Sequence, residues 1–180
     1  MSYFFTADYH FGHTNIYKWY RQNKYSSVDE MDEILIQNWN SKVSDRDTVY
    51  FLGDFAWKDP VNYVNRLKGN IILIMGNHDY RWKKRLSLFK EVKDYMVLNV
   101  NKTPIVLSHY AFRVWYNSHY NSWHLYGHSH GKLSSLGKSI DIGVDAIIDR
   151  KHPLSFDEIK NILDVCEDNP SFIRILDTYK

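Results

Sequence analysis

The chain has little sulfur and no long apolar run. Its 180 residues include one cysteine, Cys166, so it can build neither a disulfide framework nor a thiolate metal cluster. That suits a reducing compartment, and the cytoplasm is the expected location. No apolar run approaches the ~20 residues that a membrane-spanning helix needs. No basic segment followed by an apolar one opens the chain, so neither a signal peptide nor a membrane partner is expected. Repeats, low-complexity tracts and Pro/Gly-rich linkers are also missing, which makes one domain over 1–180 the plain expectation. The formal net charge is only +2, well short of the basic balance typical of nucleic-acid binders.

What is present is an ordinary globular composition, 44% apolar and 24% charged, long enough to bury roughly 70% of the surface of its unfolded chain. Short runs rich in β-branched and aromatic residues predict strands at 3–7, 48–52, 71–75, 95–100, 104–107, 122–126 and 139–144. Helix starts are signalled by Ser27-x-x-Glu30, Asp59-Pro60 and Ser155-x-x-Glu158. Strands interleaved with helices predict a layered α/β domain.

Five of these strands end alike. YFFTA runs into Asp8 and His10, VYFL into Gly53-Asp54, IILIM into Gly76-Asn77-His78-Asp79, PIVLS into His109, and WHLY into Gly127-His128-Ser129-His130. Strand carboxyl ends in open α/β sheets converge on one crevice. Asp8, His10, Asp54, Asn77, His109, His128 and His130 can therefore meet in space. Oxygen and imidazole donors without sulfur suit Mn²⁺, Fe²⁺ or Zn²⁺, and seven donors suit two divalent ions sharing a carboxylate rather than one. Each block alone also fits a turn or surface loop; their joint occurrence after apolar runs is what points to metal.

At these residues the chain resembles the calcineurin-like metallophosphoesterase superfamily, whose pattern is D-x-H, G-D, G-N-H-D/E, H and G-H-x-H. The resemblance spans roughly the first 130 residues. It implies a four-layer α/β/β/α sandwich with the site at the strand carboxyl ends. It also implies that Asp8, His10 and His130 hold a first metal, that Asn77, His109 and His128 hold a second, and that Asp54 bridges them. His78 would then act as general acid beside the leaving group, oriented by Asp79, while a hydroxide shared by the metals attacks phosphorus in line. Manganese is the expected activator in vitro.

The implied activity is a phosphodiesterase or phosphatase acting on a small phosphoester or nucleotide. Two residues could select the substrate: His13, which equally suits a loop or helix cap, and Arg113, for which pointing to solvent is the favoured reading. The basic segment YRWKKRLSLFK at 80–90 leaves a nuclease open, although a solvated amphipathic helix is the favoured reading. A non-catalytic interaction module on the same scaffold is the third reading; such proteins lack the acid histidine, which is present here.

Overall fold

A computed structural model describes residues 1–146 and 151–170. Among the described residues nine strands form two sheets: β1 (Tyr3–Thr6), β2 (Thr48–Phe51), β3 (Asn70–Ile74), β4 (Glu91–Lys93), β5 (Tyr95–Val100), β6 (Thr103–Ser108), β7 (Trp123–Tyr126), β8 (Ser139–Asp141) and β9 (Leu154–Ser155). The first sheet runs β4-β3-β2-β1-β9 and the second β5-β6-β7-β8. Strands β1 to β4 are mutually parallel, as are β6 to β8. Only β9 and β5 run antiparallel to their neighbours.

Side-chain alternation along the strands divides the core into two. Phe4, Val49, Phe51, Ile71 and Leu73 face helix α1 (Val28–Lys42), against its buried Met31, Leu35 and Trp39. Phe5, Tyr50, Leu52, Ile72 and Ile74 face the second sheet and meet Ile105, Leu107, Trp123 and Leu125. Helix α2 (Val61–Val64) is a single turn that buries Tyr63. Helix α3 (Phe156–Asp164) places Phe156, Ile159 and Leu163 in the inter-sheet core. The outer face of the second sheet is covered by the segment around Phe112 and Trp115, whose rings pack on His124. The result is a two-sheet sandwich with helices, as the resemblance implied.

The start signals hold in different degrees. Ser155 and Glu158 form a complete capping box. Ser27 accepts from the Glu30 amide, but the Glu30 carboxylate turns to Ser26 instead of closing the box. Strands β4 and β9 are too short for periodicity to reveal and exist only through pairing with β3 and β1. The basic segment forms a 3-10 helix, Asp79–Leu88, broken at Trp82. Among the described residues no helix is long and apolar enough to cross a membrane.

Candidate metal centre

The parallel strands deliver their exits to one end of the sandwich. There the two sheets join, through an isolated bridge between Ala7 and Gly143 and a hydrogen bond from Val144 N to Ala7 O. Asp8 N and His10 N donate to Gly53 O and Asp54 O, which locks the first two blocks together. Gly127 N donates to His109 O, which locks the last two.

The tight turns cost backbone strain. Asp8, His10, Asp54, His128 and His130 all have φ between 48° and 67°, the left-handed region that non-glycine residues avoid. Strain of this kind persists only where surrounding structure over-determines it, and it concentrates at functional sites. Space is equally restricted. A Cβ on Gly76 would lie 2.3 Å from Asp54 Oδ1, and one on Gly127 would lie 2.7 Å from Asp8 Oδ2.

All seven residues of the expected ligand set are brought together. Donor atoms within 4.8 Å of one another form three overlapping groups: Asp8, His10 and His130; His10, Asp54 and His78; and Asp54, His109 and His128. Asn77 joins the last, with its Oδ1 3.1 Å from His109 Nε2. Asp54 stands between the halves, its Oδ2 3.6 Å from His10 Nε2 and 3.5 Å from His109 Nε2.

The donor set fits divalent cations on two observations. Asp8 Oδ1 and His10 Nε2 are buried without a hydrogen-bond partner, a costly arrangement that a ligand would relieve. In the other half, His109 Nδ1 lies 2.7 Å from Leu52 O. A carbonyl only accepts, so Nδ1 carries the proton and Nε2 turns toward the oxygens of Asn77 and Asp54. A ring nitrogen facing two oxygens calls for a positive charge between them.

The electrostatics show the same demand for positive charge, which a proton on His109 meets in the metal-free chain. Burial pushes the Asp8 carboxyl up to about 7, and burial holds His10 well below its ordinary value. Burial raises Asp54 as well, yet the hydrogen bond and charge of His109, with His10, keep it well below the usual carboxylate range. His109 is raised in turn, because Asp54 outweighs its burial. Negative charge is thus concentrated at the carboxylate shared by the two halves.

His78 is partly exposed, with its Nε2 3.9 Å from Asp54 Oδ2, its amide donating to Asp54 Oδ1 at 2.9 Å, and its ring edge-on to His10, His13 and Trp57. Asp79 does something other than orient it. The buried Asp79 carboxylate accepts from Asp54 N, Phe55 N and Gly76 N at 2.8, 2.9 and 2.9 Å, so it ties the β2 and β3 exits together. His13 is buried at the edge of the cluster with its ring centroid 4.1 Å from Trp57, and burial lowers it to about 4. Arg113 lines an apolar cavity with Phe112, Tyr126, Leu133 and Leu136.

Several participants were not singled out in the sequence. Asp141 accepts from Ser129 Oγ, Gly131 N and Gly143 N, shaping the loop that carries His128 and His130. Arg21 and Asp145 form a buried ion pair behind Asp8. Tyr20 stacks on His130 at 4.6 Å. None has a spacing signal, because Tyr20 and Arg21 on one turn meet Asp141 and Asp145, far later in the chain, only in the fold.

Comparison with known proteins agrees with this geometry. The Calcineurin-like phosphoesterase superfamily domain matches residues 1–139. An uncharacterized protein of Methanocaldococcus jannaschii is 32% identical over 170 residues, 88% of this chain and 89% of that protein. The Gene 66 protein of Mycobacterium phage L5 is 35% identical over 81 residues, 42% of this chain and 38% of that protein. A crystal structure of a protein of unknown function from Aquifex aeolicus superposes with a TM-score of 0.70 at 25% identity, covering 89% of this chain and 98% of that one. With its sandwich of two sheets and its cluster of aspartates and histidines at the strand ends, the chain belongs to the calcineurin-like phosphoesterase superfamily.

Proposed function

We propose that the protein is a phosphodiesterase using two divalent ions, with Asp8, His10 and His130 holding one, Asn77, His109 and His128 the other, and Asp54 shared. The observation that carries this reading is the pair of charge-deficient halves: orphaned Asp8 Oδ1 and His10 Nε2 on one side, and His109 Nε2 facing oxygens on the other. When bound, such ions polarise a phosphoryl group and make water a nucleophile at neutral pH.

The chain's own residues supply the rest. His78 stands at the mouth of the cluster within reach of solvent, where it can donate a proton to the departing ester oxygen. Its amide bond to Asp54 and its contacts with His10 and Trp57 fix its place. Arg81, stacked on Trp57, offers a guanidinium to an anionic substrate on the same side. Small phosphodiesters, cyclic nucleotides and aryl phosphoesters are the substrates this reading favours, and a lone thiol suits work in a reducing cytosol.

A nuclease is the second reading, favoured by one feature: the basic 3-10 helix starts directly after His78. A groove along it is lined by Asp59, Tyr80, Arg81, Trp82, Lys83, Lys84 and Arg85. That reading predicts oligonucleotide binding that weakens steeply with salt; binding indifferent to salt refutes it.

The deciding assay compares bis- and mono-p-nitrophenyl phosphate hydrolysis with Mn²⁺, with Zn²⁺ and with chelator. The expected result is Mn²⁺-dependent turnover preferring the diester and abolished by chelator. Turnover that ignores chelator overturns the metal reading. A metal-loaded protein that hydrolyses no phosphoester supports an interaction module instead.

A further inference from the structure

Arg21 is among the largest fully buried side chains, 1% exposed, and no step proposed above uses it. It ends a π-helical turn, Tyr17–Arg21, a geometry that often marks functional sites. Its guanidinium is fully engaged. Nε and Nη2 donate to Asp145, Nη2 at 2.7 Å; Nη2 also donates to Asp8 O at 2.6 Å, and Nη1 donates to Tyr9 O at 2.7 Å. Those carbonyls belong to the stretch in which Asp8 and His10 take left-handed φ values. The guanidinium therefore grips the strained segment from behind.

Asp145 passes the constraint onward. Its Oδ2 lies 2.9 Å from His130 Nδ1. A carboxylate accepts, so Nδ1 carries the proton and Nε2 is left with its lone pair toward Asp8 and His10. The His130 ring is held flat between His10 and Tyr20, with centroids at 5.2 and 4.6 Å. A buried ion pair is a poor device for stability, since apolar residues of similar volume serve as well or better. Here the bonds to Asp8 O and His130 Nδ1 end on candidate ligands, and the bond to Tyr9 O on the residue between two of them.

We propose that Arg21 and Asp145 are a positioning pair that presets Asp8, His10 and His130 for a divalent cation. The proposal rests on the two-metal reading and deepens it by assigning the pair to one half of the site. The other half is oriented separately, through Leu52 O on His109 Nδ1.

The test is titration of metal-free protein with Mn²⁺ by calorimetry, alongside electron paramagnetic resonance of the bound ions. Wild type should take two ions. Asp145→Asn and Arg21→Lys should weaken one of them about 10–100-fold, the range typical of lost outer partners of metal ligands, and leave the second unchanged. The resonance should shift from a coupled pair to isolated Mn²⁺ when one equivalent or less of the metal is bound. The downfield Nδ1–H proton of His130 should move or vanish in Asp145→Asn.

Ile159→Ala, which opens a cavity in the remote inter-sheet core, controls for stability: it should lower the melting temperature and leave both metal constants in place. Should Arg21→Lys fail to fold, Asp145→Asn carries the test. If Asp145→Asn binds two ions as wild type does, or loses both equally, the positioning role is refuted while the two-metal reading stands. A wild type that binds no divalent ion overturns that reading itself.

Discussion

Replacing Asp79 by alanine separates two roles for that residue, a partner of His78 or a tie between strand exits. Its carboxylate accepts from three buried amides, Asp54 N, Phe55 N and Gly76 N, and is itself only 1% exposed. Truncation leaves those donors without an acceptor, at about 1–3 kcal/mol each. A water entering the vacated space recovers part of that, so the lower end of the total, about 3 kcal/mol, is expected. In a domain of this size each kcal/mol moves the melting temperature by about 2–4 °C, so Asp79→Ala should melt about 6–12 °C below wild type. Asp79→Asn keeps one oxygen for two of the amides and should fall between. The assay is circular dichroism melting in chelator, where metal binding contributes nothing. A melting temperature within about 2 °C of wild type, with turnover reduced, would refute the structural tie and restore the His78 partner.

Other substitutions probe the proposed chemistry directly. His78→Ala should cut turnover of a diester with a poor leaving group about 10²–10⁴-fold while metal content, measured by elemental analysis, stays at the wild-type value. Asp54→Ala, which removes the carboxylate shared by His10 and His109, should lose bound metal in the same analysis; a full complement of metal contradicts its bridging place. His124 tests the electrostatics away from the site. Its Nε2 accepts from Phe112 N and its Nδ1 faces Val106 O, so it must stay neutral, and burial lowers it from 6.5 to about 4. Between those values the unfolded chain binds a proton that the folded one refuses, so stability falls by up to about 3 kcal/mol as pH drops through this window. Urea midpoints at pH 7.5 and 4.5 should show a smaller acid loss in His124→Gln than in wild type; equal losses remove His124 as a contributor.

The strands and their exits are legible in the chain because both obey local rules. Apolar runs such as IILIM form β3 wherever they are buried, and the Gly-Asn-His-Asp that follows cannot continue a core strand. The capping boxes differ for an equally local reason. Ser155 closes with Glu158, whereas Glu30 finds Ser26 within reach, a competition between near neighbours that a spacing rule does not rank.

The sequence by itself determined which chemical groups stand at the strand ends and in what order, since binary patterning and turn residues act over a few positions. Only the tertiary structure decided how those groups are aimed. The left-handed backbones of Asp8, His10 and His130, the grip of Arg21 on Asp8 and Tyr9, the Asp145 bond to His130 and the capture of three amides by Asp79 each join segments that no period connects. Hydrogen bonds between residues as far as 124 positions apart depend on where two sheets meet, and that meeting is set by packing of the whole core rather than by any stretch of chain.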